Sequence, residues 1–441
     1  AMANTTPAFN LKVVLKETGI AADTLRAWER RYGLPMPQRS AGGHRLYSQR
    51  DIETIKWLMK RQEDGLSISR AVDLWNEQIA SGTDPLADLI QTTPISAITV
   101  PPKSPDTTLD SLRAQWIEAC LGFSESTAEQ VLNQAFSMFP VEAVCLEVLQ
   151  RGMFEVGERW YQNRASVQQE HFASALAMRR LDSLLSASPA PTREQRVILG
   201  CPSDEWHTLT PLLLTLLLRR RGLNVIYLGA SVPAAQFSTT VKDIGADLVV
   251  LVAQQLITAA TLQQTAQALA SQAIPVAFGG RIFNVHPGIP ASISGHYLGQ
   301  DLPAALDQIE TILSKKLRLP QSKAASPLYE AAYQAFVSKR GQIELTLREW
   351  MKPISLTPDN LHIGIHFLGE NISAALQLGD ISYVSGEVAW LKVLLKFHEA
   401  QPEQLIHFME AYSEAVKQNI NSHGKPISDW LTAEIENLKA K

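Results

Sequence analysis

The sequence is poor in cysteine, and its three cysteines stand far apart along the chain. Cys120, Cys145 and Cys201 have none of the close spacings with which cysteines hold zinc or iron–sulfur clusters. Their number and scatter exclude a disulfide framework and predict a reducing, cytoplasmic environment. No apolar run is long enough to cross a bilayer, and nothing near the start resembles a signal peptide, so we expect no membrane partner.

A strong charge of either sign is also missing. The formal net charge is −4 at pH 7, with 19% charged and 45% hydrophobic residues among 441. This composition excludes a globally basic surface, so any binding of nucleic acid must come from a local one. At roughly 150 residues per domain, the length predicts about three domains.

Apolar strands alternate with helices over residues 193–318. The run 197–199 predicts a buried strand, and Leu209 opens an apolar helix. Repetition of this pattern predicts a flavodoxin-like, doubly wound parallel sheet, which binds ligands at the carboxyl ends of its strands. His207 stands at such an end, where Asp204 or Glu205 can accept a hydrogen bond from one ring nitrogen, as in many metal-ligating histidines. Alternatively, His207 only caps the helix.

The order of polar residues and glycines in this segment resembles the cobalamin-binding domain of methionine synthase and its relatives. The positions that correspond to this family's pattern are occupied by Glu205, His207, Thr210, Gln254, Leu256, Gly279 and Gly280. The resemblance implies that His207 is the lower axial ligand of cobalt and that the other residues surround the cofactor. Thr210 replaces a glycine of the pattern and Gln254 a serine, which leaves the packing of the nucleotide tail open. For the glycine pair we expect a backbone that passes close to a bulky cofactor.

Residues 9–80 form a predicted winged helix–turn–helix. A basic helix, which Asp23 is expected to cap, is followed by a loop with Gly42, Gly43 and further arginines. The segments 23–33 and 43–48 resemble the MerR family of DNA-binding regulators. That resemblance implies Arg26 and Arg30 in the major groove of double-stranded operator DNA, with Arg39, Arg45 and Tyr47 on the phosphate backbone. The alternative is that the arginines form only a solvated helix face.

Residues 81–108 are rich in proline and small polar residues and predict a linker.

Residues 109–188 predict a four-helix bundle, with Trp160 near the end of one helix and Glu170–His171 ten residues on. Packing of Trp160 in the bundle, with Glu170 and His171 in solvent, is one interpretation. However, the spacing resembles that of CarH-type photoreceptors, which implies a cap over the upper face of adenosylcobalamin. Tyr161 stands where that family has a histidine; a phenol, with a pKa of about 10, is a poorer cobalt ligand.

Residues 327–441 predict an all-α domain with several histidines and aromatic residues. Such histidines are most often ordinary surface or core residues, although helical domains also hold tetrapyrroles. The segment resembles the C-terminal domain of cobalamin photoreceptors that carry a bilin such as biliverdin. Because no cysteine follows Cys201, a bilin could not be linked through a thioether within this domain.

Together these patterns predict a multi-domain α and α/β protein: a light-responsive transcriptional regulator, not an enzyme. The resemblances imply adenosylcobalamin, a possible second bilin chromophore, operator DNA and a homo-oligomer. One rival is a regulator that reports the cobalamin level without light. The other is a corrinoid methyltransferase or mutase subunit, against which stands the lack of a substrate barrel in the sequence.

Overall fold

The computed structural model describes most of the chain and divides it into two compact units. The described residues are 7, 9–40, 42–82, 84–86, 107–351, 356–397 and 400–440. The first unit joins the N-terminal segment up to Ile90 to residues 327–376 and 384–441; the second runs from Gln91 to Ser326 and includes Gln377–Tyr383. Most of the predicted linker 81–108 lies outside the described residues. Within the described ranges, no helix is long and apolar enough to cross a membrane.

The N-terminal part of the first unit, here called the head, is a winged helix–turn–helix. Its elements are β1 (Phe9–Asn10), α1 (Leu11–Thr18), α2 (Ala22–Tyr32), β2 (Gln38–Arg39), β3 (Arg45–Tyr47), α3 (Gln49–Glu63) and α4 (Ile68–Ala80). Strand β3 pairs antiparallel with both β1 and β2 to form the wing. Leu25 and Trp28 face the core. The capping prediction for Asp23 is wrong: the N-cap residue is Ala21, without a side-chain bond, and Asp23 lies in the first turn, where its charge still favours the helix dipole.

The second unit begins with the four-helix bundle, here called the cap. Its helices are α5 (Thr107–Leu121), α6 (Glu125–Met138), α7 (Val141–Val144), which continues through a π-helical stretch (Cys145–Gln150) into α8 (Arg151–Tyr161), and α9 (Val167–Ser186). Ser166 and Gln169 form a reciprocal capping box at the start of α9. Gly152 lets the ring of Trp116 approach α8, because a Cβ there would lie 3.0 Å from the ring.

A five-stranded parallel sheet follows in the same unit. Its elements are β4 (Arg196–Pro202), α10 (Leu209–Arg220), β5 (Asn224–Val232), α11 (Ala234–Ile244), β6 (Leu248–Val252), α12 (Leu256–Ala270), β7 (Val276–Gly279), α13 (Arg281–Val285), β8 (His296–Tyr297) and α14 (Leu302–Lys315). The strand order β5-β4-β6-β7-β8 is flavodoxin-like and confirms the prediction. The order reverses at β4, so the loop after β4 lies at the switch point where such sheets bind ligands.

The C-terminal part of the chain is all helical, as predicted. Its helices are α15 (Pro327–Trp350), α16 (Pro358–Leu378), α17 (Val384–Phe397), α18 (Pro402–Asn419) and α19 (Lys425–Lys439). Phe336, Phe408 and Tyr412 are almost fully buried and form part of its core. Among the histidines of this part of the chain, His398 lies outside the described residues.

Candidate functional site

The loop between β4 and α10 carries a buried carboxylate–imidazole pair. Glu205 is fully buried and His207 is 5% exposed. Nδ1 of His207 lies 2.6 Å from Oε1 of Glu205, which also accepts the backbone N–H of His207 at 3.0 Å. Because an ionised carboxylate can only accept, Nδ1 of His207 donates its proton to Glu205. Of the two acidic partners expected for His207, the structure selects Glu205.

Glu205 also ties this loop to the neighbouring strand. Its Oε2 accepts the backbone N–H of Gln254 at 2.7 Å and the hydroxyl of Thr258 at 2.5 Å. Burial alone would raise the pKa of Glu205, but His207, Thr258 and the Gln254 N–H outweigh burial and lower it. The carboxylate is therefore ionised at neutral pH. Thr258 was not predicted from the sequence. The signal that could have pointed to it is a hydroxyl residue in the first turn of α12, the helix that follows β6.

The backbone of the loop is fixed from both sides. The amide of Asp204, whose φ is +67°, donates to the Ser231 hydroxyl at 3.0 Å. The Ser231 amide donates to the carbonyl of Glu205 at 2.9 Å. The hydroxyl of Thr261 donates to the carbonyl of Ser203 at 2.7 Å. Strand β5 and helix α12 thus hold the loop in one conformation.

The glycine pair at the end of β7 lies against other parts of the chain. Gly280 has φ +129°, and a Cβ there would lie 1.9 Å from the carbonyl oxygen of Ala253. A side chain is excluded by the neighbouring backbone itself, without reference to a cofactor. At Gly279 a Cβ would make only an ordinary contact of 3.8 Å with Leu298. The amide after Gly280, that of Arg281, donates to the side-chain oxygen of Gln254 at 2.9 Å.

The remaining candidates of this domain are buried at the starts of two helices. Thr210 is 5% exposed in the first turn of α10, Leu256 is fully buried at the start of α12, and Gln254 is 1% exposed. Gln254 bridges two loops, since its amide reaches Glu205 and its side chain accepts from Arg281. The residue that replaces the serine of the pattern therefore links the histidine loop to the glycine pair.

The cap contributes a buried tryptophan and a second carboxylate–imidazole pair. Trp160 is 2% exposed near the end of α8, whereas Tyr161 beside it is 44% exposed. Glu170 is fully buried in the first turn of α9, so the interpretation that it sits in solvent is wrong. Its Oε2 lies 2.9 Å from Nδ1 of the half-exposed His171. These residues belong to the same compact unit as His207.

We expect Glu170→Gln to lower the pKa of His171. The hydrogen bond to Glu170 raises that pKa above its ordinary value of about 6.5, and burial opposes it. Because the folded pKa is raised, the pair stabilises the cap fully below about pH 6.5 and loses that effect as the pH rises through the folded pKa. A histidine NMR titration checks this. His423→Ala, at an exposed turn, is the matched control, and an unshifted His171 titration in Glu170→Gln would contradict the pairing.

The head displays arginines on α2 and around the wing. Arg26, Arg30 and Arg39 are exposed, while Arg45 is partly covered. Nε of Arg45 lies 2.7 Å from Oε2 of Glu29.

Tyr47 occupies a different position from the one expected of a phosphate contact. It is fully buried, and its hydroxyl donates to Oε1 of Glu29. Burial, followed by Glu29, raises its pKa, so the phenol stays protonated as a donor. Glu29 was missed in the sequence; the signal is an acidic residue directly before Arg30 and Arg31 in α2.

The C-terminal helices hold a cluster of buried and partly buried charges and imidazoles, here called the C-terminal cluster. Its members are Arg340, Glu344, Arg348, His362, His366 and Glu370. Nη2 of Arg348 lies 3.0 Å from Oε1 of Glu344 and 3.2 Å from Nδ1 of His362. Arg340 lies 2.8 Å from Glu370. The rings of His362 and His366 stack at 6.3 Å. Burial and then Arg348 lower the pKa of His362 to about 4, which keeps it neutral.

Three family models match successive parts of the chain. Residues 9–78 match "MerR HTH family regulatory protein", and residues 112–185 and 195–289 match two models described as "B12 binding domain". Fold, site and these matches define the chain as a B12-binding, MerR-type DNA-binding regulator.

Curated relatives narrow this class. The HTH-type transcriptional repressor CarH of Myxococcus xanthus is 30% identical over 294 residues, which is 65% of this chain and 94% of that protein. The repressor CarA of the same organism is 33% identical over 55% of this chain and 75% of its own length. The chain belongs to the CarH/CarA family of transcriptional regulators. A Methanosarcina barkeri monomethylamine corrinoid protein aligns at 15% identity over 46% of this chain and 99% of its own, with a TM-score of 0.40.

Proposed function

We propose that this regulator responds to light through adenosylcobalamin, with His207 as the lower axial ligand of cobalt. The observation that carries the proposal is the buried imidazole of His207, which Glu205 orients through Nδ1 at the switch point of the sheet. Adenosylcobalamin would supply a cobalt–carbon bond that light can break. Thr210, Gln254, Leu256 and the Gly279–Gly280 pair would line the lower face, and Trp160, Glu170 and His171 the upper one.

The donor set suits a corrinoid better than a free metal ion. Among the described residues, no group of three or more histidine, cysteine, aspartate or glutamate side chains could hold a metal ion. A corrin ring brings its own equatorial nitrogens, so one well-oriented imidazole is the contribution that the protein must make. The fixed loop meets that requirement because Glu205 sets both the tautomer and the ring orientation of His207.

In the head, Arg26 and Arg30 would read the major groove, and Arg39 and Arg45 would contact phosphates. Glu29 and Tyr47 would orient Arg45, since the carboxylate accepts from both. A single head covers one half-site, so we propose that a homo-oligomer binds a two-fold operator in the cytoplasm.

We expect Arg26→Ala and Arg45→Ala to weaken DNA binding in different ways. Arg26→Ala should cost about 1–3 kcal/mol and relax the preference at one base pair, while Arg45→Ala should weaken all sequences and reduce the salt slope by about one. Fluorescence anisotropy on a duplex selected by the wild type from a random pool measures both. Lys56→Ala, on α3, serves as the control. Unchanged affinity in both arginine variants would refute this reading of the head.

Light dependence separates the proposed function from its rivals. We expect the loaded wild type to change its affinity for the selected duplex, and its oligomeric state, after green light. A change that follows cobalamin loading but not illumination would identify a cobalamin-level sensor. No affinity for DNA in any state would leave a corrinoid-carrying enzyme subunit as the remaining candidate.

For the C-terminal domain we propose a non-covalently bound bilin. The favouring observation is a stacked pair of neutral histidines flanked by buried arginines. The arginines could pair with propionates, and the imidazoles could hydrogen-bond pyrrole nitrogens.

Titration of the protein with biliverdin should give a red-shifted absorption band of one-to-one stoichiometry. His366→Leu should weaken it, whereas His407→Leu, at an exposed site on α18, should not. The absence of a saturable band would remove the bilin from the proposal and leave the cobalamin part intact.

A further inference from the structure

The turn between α3 and α4 of the head is built to fit against helix α15 of the C-terminal domain. Both elements belong to the same compact unit. Gly65 in the turn has φ +92°, and a Cβ there would lie 2.0 Å from the carbonyl oxygen of Ser338. On the other side, a Cβ on Gly341 would lie 2.4 Å from Cγ of Leu66. Each surface thus has a glycine where the other approaches most closely.

Polar contacts fix the same surfaces in register. The amide of Gly341 donates to the carbonyl of Asp64 at 3.1 Å. Nη1 of Arg61 lies 2.7 Å from Oε2 of Glu344, and its Nη2 lies 2.8 Å from Oδ2 of Asp64. Asp64 is fully buried, and Arg61 and Glu344 are at most 8% exposed in their side chains. Separating these surfaces one partner at a time would leave a buried charge uncompensated, which is strongly destabilising.

These ion pairs lead from the head into the C-terminal cluster. Glu344 bonds Arg61 of the head on one side and Arg348 on the other, and Arg348 contacts His362. Burial would raise the pKa of Glu344, but Arg61 and Arg348 lower it to about 2, so the carboxylate is charged. Because Arg61 and Arg348 share the Glu344 carboxylate, a change in the charge or position of Arg348 alters the ion pair of Arg61.

We propose that the α3–α4 turn and α15 form a permanent joint, through which the C-terminal domain orients the head and so controls DNA reading. The joint does not cover the candidate DNA-reading residues, because Arg26, Arg30 and Arg39 stay exposed. Control thus acts by orientation rather than by occlusion. The matched family models end at residue 289, so the joint lies between the head and a segment beyond them. The control of DNA reading rests on the proposed function, whereas the contact between the turn and α15 does not. Neither part of the proposal requires a bilin.

Gly341→Ala in the full chain tests the joint with little harm to its parts. Alanine favours helix α15 more than glycine does, while the new methyl meets Leu66 of the head and nothing nearer. We expect amide exchange in residues 61–68 to accelerate about tenfold or more in this variant. We also expect affinity for the wild-type-selected duplex to change about fivefold or more. Adding Leu66→Ala removes the clashing atoms and should reverse both effects; Leu66→Ala alone is the control.

Each outcome has a distinct meaning. Unchanged exchange at 61–68 in Gly341→Ala would overturn the joint. Faster exchange with unchanged DNA affinity, or failure of Leu66→Ala to restore it, would overturn its control of DNA reading. A wild type that selects no duplex would overturn the proposed DNA reading, while the exchange data still decide whether the joint exists.

Discussion

His207→Ala should abolish cobalt ligation by the protein and weaken cobalamin binding by more than the ~10–100-fold that loss of an outer partner costs a metal site. The Glu205 contact of 2.6 Å orients the imidazole ring through Nδ1, and alanine removes that ring while the carboxylate stays in place. Glu205 keeps the Gln254 amide and the Thr258 hydroxyl in the variant, so the loop should hold its shape.

The measurement is an absorption titration of the apoprotein with adenosylcobalamin, joined to electron paramagnetic resonance of the reduced cobalt(II) form. Labelling the histidines of the wild type with the heavy nitrogen isotope should change the hyperfine pattern of cobalt(II). The same labelling should have no effect in His207→Ala. His423→Ala, exposed and remote in sequence, should behave as the wild type. An isotope-sensitive signal that persists in His207→Ala would mean that another histidine binds cobalt.

Glu205→Gln separates orientation from ligation. The amide keeps the size of the side chain but replaces one acceptor oxygen by an NH2 donor. That donor conflicts either with the two N–H groups of His207 on one oxygen or with the Gln254 amide on the other. We expect an affinity loss of ~10–100-fold with the isotope effect still present. Thr258→Val removes only one of these bonds and should cost less than Glu205→Gln.

Local patterns predicted most of the fold because they are set within short stretches of chain. The run of buried residues 248–252, the leucine-rich α10 and the spacing of Glu205 and His207 each follow from neighbours in sequence. The strand order could be predicted because parallel strands joined by helices admit few arrangements.

What sequence could not reveal is contact between distant segments. Thr258 reaches Glu205 across 53 positions, and Arg61 meets Glu344 across 283. No periodicity reports such pairs. The wing shows the same limit. From the sequence, Tyr47 was predicted to contact phosphate, yet the pairing of β3 with β1 places its side chain in the core, where its hydroxyl donates to Glu29. The sequence also could not reveal that the Ala253 carbonyl lies beside Gly280, because only the fold brings these two residues together.

Replacing Trp160 should have the second large effect, on the cap rather than on the sheet. Trp160 is 2% exposed, and loss of a buried tryptophan costs roughly 3–5 kcal/mol. The bundle offers a matched control in Trp116, which is fully buried and packs against Gly152. Trp116→Ala should destabilise the cap to a similar degree by the same loss of packing.

The two variants should differ in ligand preference. If Trp160 covers the adenosyl group, Trp160→Ala lowers the preference for adenosyl- over methylcobalamin while His207 still ligates cobalt, and Trp160→Phe retains part of that preference because a ring remains. Trp116→Ala should keep the preference despite its equal loss of stability. Calorimetric unfolding and competition titrations with the two cobalamins measure both quantities. Equal loss of preference in both alanine variants would reduce Trp160 to a packing residue, because the selectivity would then follow cap stability and not the ring itself.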